Sequence, residues 1–328
     1  MKKSIVILDL FAGYGGAELS AKHAGIKVKK SYISEINESA LKVLRKHYPN
    51  AVFVGDVRNL KAKDFIDVDM ITAGSPCQSF SFCGKKKGMV TKTNIEITTL
   101  KQYLQLKKDG FQFEGQSYLF WEFVRLYKEI TSLQRKAGLP EAKFLLENVK
   151  MTKKWENIIS KAVGVEPVLF DAAVVSAQSR ISMNWTNINR IEVPQDMNIT
   201  LGDVIKGAVT GSGFRGRKVG GDDFYTYPQT IRPDKKSNCL VTSLGTVGKK
   251  DGKMYGTGFY LDKKGKTKLL TVEQTEILQG LEPGYTNVKG VSETARIKMI
   301  GNGWSIYVTG YIMKYLKKKT VNFLESKK

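Results

Sequence analysis

Five residues with chemical capacity occupy the same kind of place in this chain. Asp9, Glu35, Asp56, Cys77 and Glu147 each stand at or just past the end of a short apolar run. Cys77 follows a proline in Gly74-Ser75-Pro76-Cys77 and precedes Lys85, Lys86 and Lys87. An electropositive, partly exposed place beside a helix start favours the thiolate, the reactive form of a cysteine. Cys83 and Cys239 lack such surroundings and read as buried, inert thiols. The run Asp9–Gly16, DLFAGYGG, is a glycine turn between a strand and a helix. Glycines let a ligand approach the backbone, and the helix start offers free N–H groups. The run is not the G-x-G-x-x-G of dinucleotide enzymes. Glu35 at a strand end suits the two hydroxyls of a ribose. Asp56, one strand further on, suits an adenine amino group. Each acid alone serves equally well as a helix cap or a solvated loop residue. Together they outline a nucleoside pocket without a pyrophosphate site, which favours S-adenosylmethionine over a dinucleotide.

The elements that must hold these residues follow from the apolar pattern. Ser4–Leu10, Val28–Ser34, Ala51–Val54, Val68–Ala73, Phe144–Leu146 and Val165–Phe170 read as strands. Asn37 caps a helix whose Ala40, Leu41, Leu44 and Tyr48 share one face, and Leu119, Phe123, Leu126, Tyr127 and Ile130 mark a second amphipathic helix. Alternating strands and helices imply an α/β fold with a doubly wound, mostly parallel sheet, where ligands bind at the carboxyl ends of the strands. The composition shifts after about residue 190 to Gly, Thr, Asp and Lys, with short β-like runs at Phe224–Tyr227 and Cys239–Ser243. Helical patterns return at Thr271–Gln279, Ser292–Ile300 and Ser305–Leu316. The expected division is therefore 1–189, a small inserted domain at 190–268, and C-terminal helices at 269–328 that rejoin the first part.

Composition narrows the partners. The 328 residues carry 53 Lys+Arg against 31 Asp+Glu, a formal net charge of +22. That balance asks for a polyanion, nucleic acid before an anionic membrane surface, although a lysine-rich, solvated surface is the bland alternative. With 3 cysteines, no C-x-x-C pair and 2 histidines, neither a disulfide framework nor a structural zinc is expected. The basic, then apolar start is interrupted by Asp9 and reads as a core strand, not a signal peptide. Free thiols without a targeting signal point to a cytoplasmic protein.

Four runs in order, DLFAGYGG, GSPCQSFSF (Gly74–Phe82), LLENV (Leu145–Val149) and IGNGW (Ile300–Trp304), resemble the successive motifs of the DNA cytosine-5 methyltransferases. The resemblance covers about residues 5–190 and 270–318. GNGW and VVSAQSRISMNWTN look most like phage-encoded members and the mammalian de novo branch. The resemblance implies a Rossmann-like class I S-adenosylmethionine-dependent methyltransferase, with 190–268 as target-recognition domain. It places Asp9, Phe11, Gly13, Gly15, Glu35, Ile36, Asp56, Val57, Pro76, Leu119 (in YLFWE), Asn302, Trp304 and Ser305 around the cofactor, which leaves as S-adenosylhomocysteine. It assigns Cys77 to attack on carbon 6 of a flipped-out cytosine, Glu147 to proton donation at ring nitrogen 3, Asn148 to orienting that acid, and Gln78 and Arg180 to the same site. Gln78–Lys92 is then a loop that closes on double-stranded DNA, with Ser79, Ser81, Lys85, Lys86 and Lys87 at the backbone. Arg215, Arg217, Arg232 and Lys236 are the candidates for reading a short sequence. No metal or membrane enters, and the chain is expected to be a monomer or weakly self-associating.

The resemblance breaks in two places. Family members carry Gln-x-Arg-x-Arg after the sixth strand, whereas this chain has Gln178-Ser179-Arg180-Ile181-Ser182. Gapless alignment puts Ser182 at the second arginine, which in the family reaches the cytosine carbonyl oxygen. Another register gives that role to Arg180. A Thr-Leu pair common in the small domain corresponds to Cys239-Leu240. A weakened or inactive DNA-binding relative, and an RNA cytosine methyltransferase of the same fold, are the rival readings.

Overall fold

The computed structural model describes residues 4–77, 80, 88–218, 224–244, 247–250, 253–256 and 258–317, with the backbone course alone for 213–218, 224–230, 247–250 and 253–256. In chain order the first part contains β1 (Ser4–Leu10), α1 (Gly16–His23), β2 (Lys27–Ser34), α2 (Glu38–His47), β3 (Val52–Phe53), β4 (Met70–Gly74), α3 (Leu100–Lys108), α4 (Phe120–Lys136), β5 (Lys143–Val149), α5 (Lys153–Val163), β6 (Val168–Asp171) and β7 (Ile181–Thr186). The seven strands form one sheet in the order β3-β2-β1-β4-β5-β7-β6. Adjacent pairs from β3 to β5 are parallel, and β7 runs antiparallel to both β5 and β6. The central strands are apolar along most of their length because helices cover both faces. One core cluster gathers Leu8, Ile71, Phe123, Phe144 and Trp185, and another gathers Ile7, Leu145, Leu278 and Ile312.

Local chemistry fixes the helix ends. Asn37 accepts from the Ala40 N–H at 3.1 Å, which caps α2 as its sequence predicts. Two helices escape the apolar-pattern reading. In α3 only Tyr103 and Leu106 are fully inside, a stripe too thin to stand out among lysines. In α5 the stripe is Trp155, Ile159 and Val163, closed by Gly164 at φ 80°.

The remaining elements are α6 (Leu201–Val204), β8 (Ala208–Lys218), β9 (Phe224–Ile231), β10 (Val247–Lys250), β11 (Lys253–Gly256), β12 (Phe259–Asp262), β13 (Thr267–Leu269), α7 (Val272–Gln279), α8 (Glu293–Asn302) and α9 (Ile306–Met313). Strands β8 to β13 make a second, antiparallel sheet in the order β10-β11-β8-β12-β13, with β9 on β8. The expected β run at Cys239–Ser243 has no strand; the chain there is irregular. It passes under the large sheet instead, where Gln178 Oε1 accepts from the Leu240 N–H at 3.2 Å. Helix α9 packs on α1, with Ser20 Oγ and Thr309 Oγ1 2.6 Å apart. Among the described residues no helix is long and apolar enough to cross a membrane.

The glycine turn shows how tightly α1 is seated. Gly15 has φ 87°, and a Cβ there would lie 2.3 Å from Tyr48 Cε2. Gly15→Ala is therefore expected to lose about 2 kcal/mol from backbone strain and displacement of the Tyr48 ring. Urea denaturation compared with wild type measures the loss.

Candidate active site at the carboxyl edge of the large sheet

A cleft of about 780 Å³ opens where β1, β2 and β4 end. Asp9, Phe11, Gly13, Glu35, Ile36, Asp56, Val57, Pro76, Cys77, Leu119, Asn302 and Trp304 all line it. Sequence reasoning thus gathers one wall set from six separate stretches of chain. Phe11 stands at φ 59°, a left-handed position unusual for a side chain of this size. Glu35 stabilises the turn around it: one carboxylate oxygen accepts from the Gly13 N–H at 2.9 Å, the other from the Ile36 and Asn37 N–H groups, both at 2.8 Å. Ile36 is 56 % exposed and free to cover a flat ring.

Asp56 caps a short turn at Val57–Asn59 and holds the Arg58 guanidinium, with Nε at 2.9 and 3.0 Å. That pairing keeps its carboxyl below the usual carboxylate range. Behind the turn lies a network that sequence reasoning missed. Glu122, fully buried, accepts from Tyr103 and Lys107 at 2.6 Å and from Arg125 at 2.7 Å. Arg125 in turn donates to the Val57 and Leu60 carbonyls. Its signal was the acid of YLFWE, of which only the leucine had been used.

Two expected cofactor residues sit elsewhere. Gly15 turns its α-carbon to Tyr48 and Leu44, so it is required by packing and not by the cleft. Ser305 lies beneath the cleft at the start of α9, with its Oγ buried and without a described hydrogen-bond partner. Trp304 spans the place between α1 and β4: hypothetical Cβ atoms on Gly16 and Gly74 would lie 2.3 Å and 3.6 Å from its indole. Tyr14, inside DLFAGYGG but overlooked for its glycines, donates its hydroxyl to the Trp304 carbonyl. Tyr285 donates to the Tyr14 carbonyl at 3.0 Å.

Cys77 lines the cleft, and Glu147 and Arg180, behind its lining, lie within electrostatic reach of it. Glu147 stands opposite Gly74 on β4, with Oε2 4.0 Å from the position of a Cβ there. Arg180 is buried, and its guanidinium donates to the Leu240 carbonyl at 3.0 Å and the Gly301 carbonyl at 3.2 Å. Burial works against its charge, while Cys239, Glu147, Tyr14 and Cys77 favour it, and the pKa ends above the ordinary value. Burial pushes the Glu147 carboxyl up, opposed by Arg180. Burial and then Glu147 push the Cys77 thiol up, against the pull of Arg180. The expected stabilised thiolate is therefore corrected. Desolvation there outweighs the pull of the guanidinium.

Other expectations are also corrected. Asn148 does not orient Glu147. It projects to the opposite face of β5, where its amide donates to the Ser75 carbonyl at 3.1 Å and Oγ at 3.0 Å, fixing the approach to Pro76-Cys77. Ser182 lies on β7 and accepts from Asn184, so Arg180 is the arginine of this motif beside the thiol and acid. Gln178 is a clamp to Leu278 and Gln279. Cys239 is exposed, not buried, with its sulfur 3.7 Å from Arg180. Lys236 is 2 % exposed, and its ammonium donates to the Ala173 and Ser176 carbonyls and to Asp196 at 2.9 Å. It bolts the chain together and cannot read DNA. Arg232 is paired with Asp234, Nε to Oδ1 at 3.0 Å. Gln78, Ser79, Ser81, Lys85, Lys86 and Lys87 lie outside the described residues, as do the side chains of Arg215 and Arg217. The end of the expected loop is not a surface segment: Gly88–Val90 are buried, with Gly88 against Trp155.

Residues 5–163 match the sequence model of the family described as C-5 cytosine-specific DNA methylase. Those residues, just under half of the chain, carry its likeness to that family. The chain is 34 % identical over 118 residues to the Type II methyltransferase M.NlaIV of Neisseria lactamica, covering 34 % of this chain and 28 % of that protein. It is 33 % identical over 147 residues to the Type II methyltransferase M1.ScrFI of Lactococcus lactis subsp. cremoris, covering 45 % and 29 %. The matches thus span less than a third of the length of these relatives. The fold is that of the Entamoeba histolytica methyltransferase EhMeth, with a TM-score of 0.62 at 15 % identity over 96 % of this chain and 98 % of that one. The large sheet with its flanking helices is the class I methyltransferase architecture.

Two outcomes follow from this geometry. Lys236→Met leaves two carbonyls and Asp196 without their cation. It is expected to cost about 2 kcal/mol, less than a fully buried pair because Asp196 is part-exposed. Thermal unfolding reads this, with the salt dependence of DNA binding unchanged. Burial raises the Asp9 carboxyl to about 7, offset in part by Thr72. The folded state keeps a proton that the unfolded state releases, so this contribution is complete below the unfolded pKa and is lost as pH rises through about 7. Asp9→Asn is expected to remove a slope of roughly 3–4 kcal/mol between about pH 4 and 8, seen by denaturant titration across that range.

Proposed function

We propose that this protein methylates carbon 5 of cytosine in double-stranded DNA at a short sequence, using S-adenosylmethionine. The observation that carries the reading is Cys77 in the wall of a cleft that fits a nucleoside, with Glu147 behind Gly74 of that wall and Arg180 in the field of both. The residues present suit that cofactor. Glu35 and Asp56 offer carboxylate oxygens at the ribose and adenine positions, Ile36, Val57 and Leu119 offer apolar faces, and the turn at Gly13 leaves open space above its α-carbon. Bound there, S-adenosylmethionine supplies an electrophilic methyl group.

The chain's own residues make cytosine receptive to it. Cytosine carbon 5 is a poor nucleophile until a group adds at carbon 6 and turns the ring into an enamine. The Cys77 thiol gives its proton to solvent water as its sulfur forms that carbon–sulfur bond. Electron density then moves towards ring nitrogen 3, where Glu147 delivers a proton; burial pushes this carboxyl up, towards its proton-bearing form, against the pull of Arg180. Such a proton transfer is worth ~10²–10⁴-fold. Arg180 supplies fixed positive charge beside the thiol and the ring, an arrangement that lowers the cost of the sulfur's negative charge during attack. After methylation, loss of the carbon 5 proton and departure of the thiolate restore the aromatic ring. The base must leave the duplex to reach Cys77, and a net charge of +22 supports backbone binding.

Cys77→Ala is expected to reduce incorporation of labelled methyl from the cofactor into mixed-sequence DNA to background, while gel-shift binding persists. Full turnover by that variant removes Cys77 from the mechanism. Wild-type protein that retains DNA but incorporates no label supports a non-catalytic DNA binder instead. Label that resists DNase and yields to RNase transfers the reading to RNA.

A further inference from the structure

Strands β5 and β7 run antiparallel with Glu147 directly opposite Asn184. Residues so paired project from the same face, with Cβ atoms about 4.5–5.5 Å apart. Both are inside the protein, Glu147 at 7 % exposure and Asn184 at 0 %. The Asn184 amide nitrogen donates to Ser182 Oγ at 3.0 Å and to the Val168 carbonyl at 3.4 Å. A carbonyl can only accept, so the nitrogen end of the amide is the end turned towards Val168. Oδ1 is the other end, and it is buried with no described donor reaching it. A buried acceptor left without a donor carries its full desolvation penalty.

A neutral carboxyl has one O–H to give, and an ionised one has none. We propose that Asn184 is a positioning residue for Glu147, its Oδ1 accepting the hydrogen bond of the protonated carboxyl and so holding the acid in its proton-bearing form. The assignment deepens the reading of Glu147 as the proton donor to cytosine and rests on it. The groups facing Glu147 from the neighbouring elements are Cys77 beyond β4, Arg180 ahead of β7 and Tyr14 in the glycine turn. Arg180 favours the carboxylate, and Asn184 offers the one contact that only the acid can make. The two pull in opposite directions, which lets the proton be held and yet be given up when a ring nitrogen competes for it.

The test is a carbon-13 NMR titration of the Glu147 carboxyl carbon, identified by its disappearance in Glu147→Gln, in the full-length protein without DNA. Asn184→Val is expected to lower the midpoint by about one pH unit, a tenfold change in ionisation constant. Asn184→Asp is expected to raise it, because a second carboxyl in contact repels the ionised form. The alkaline limb of kcat shifts in the same directions. An unmoved midpoint in either folded variant overturns the assignment. The titration needs no turnover, so it also separates this contact from the methyl-transfer reading: shifted midpoints in a protein that never methylates DNA sink the reading and keep the contact.

Discussion

The site depends on one buried positive charge. Arg180 lies inside the protein, answered by the Leu240 and Gly301 carbonyls, and among the described residues no carboxylate comes within salt-bridge distance of it. Taking a guanidinium out of water is costly unless something repays its field. Here the repayment is divided: Glu147, Cys77, Tyr14 and Cys239 all lie in that field, and none of them neutralises it outright. Burial of the acid and of the thiol prevails over the pull of the cation, so both rest nearer their neutral forms. On the proposed reading the protein therefore holds a charge at the place where negative charge develops, while burial pushes both groups towards their protonated forms. This is electrostatic preorganisation in the ordinary sense, a fixed field that does not have to rearrange during reaction.

Holding that charge requires parts of the chain far apart in sequence. The carbonyls that receive Arg180 come from the segment before α8's end and from the irregular stretch near residue 240. Gln178 and Gln279 tie these to one another, and Gln279 reaches on to the Ile300 and Gly303 carbonyls. Tyr14 and Tyr285 then lash the glycine turn to the same C-terminal region. The C-terminal helices are thus not an appendage to the cofactor fold. They complete the wall that carries Trp304 and supply the backbone oxygens without which Arg180 has no reason to stay buried.

Much of this was legible in the sequence, and the omissions share one physical cause. Strand ends could be read because apolar runs stop at Asp9, Glu35 and Cys77, and period and punctuation are local properties. Helices α3 and α5 were missed because their buried stripes are two and three residues wide. Directions of side chains were not legible at all. Adjacent residues on β5 point to opposite faces, so Glu147 reaches towards Gly74 while its neighbour Asn148 holds Ser75 on the other side. The motif names both, and only the pleat tells them apart. Lys236 failed for a related reason, since a lysine in a basic, polar segment looks solvent-facing until three oxygens are found around it. The environment of Cys77 failed because charge can be counted from a sequence and desolvation cannot.

The same distinction governs how the net charge of +22 should be understood. Arg180, Lys236, Arg125 and Arg296 are charges of this chain, yet each is turned inward and answered by carbonyls or acids; Arg296, for one, reaches Glu273 at 2.8 Å and Glu276 at 3.2 Å. A buried, answered cation releases no counterion and contributes nothing to the salt dependence of binding a polyanion. On the proposed reading, the force that draws DNA to the surface belongs to the remaining lysines and arginines, and it acts without regard to sequence. On the proposed reading the chemistry rests instead on Arg180, held in fixed geometry, where a displacement of the supporting carbonyls matters more than the loss of several surface lysines. A protein of this kind can therefore vary its surface charge widely and keep its reaction, provided that the oxygens around Arg180 stay where they are.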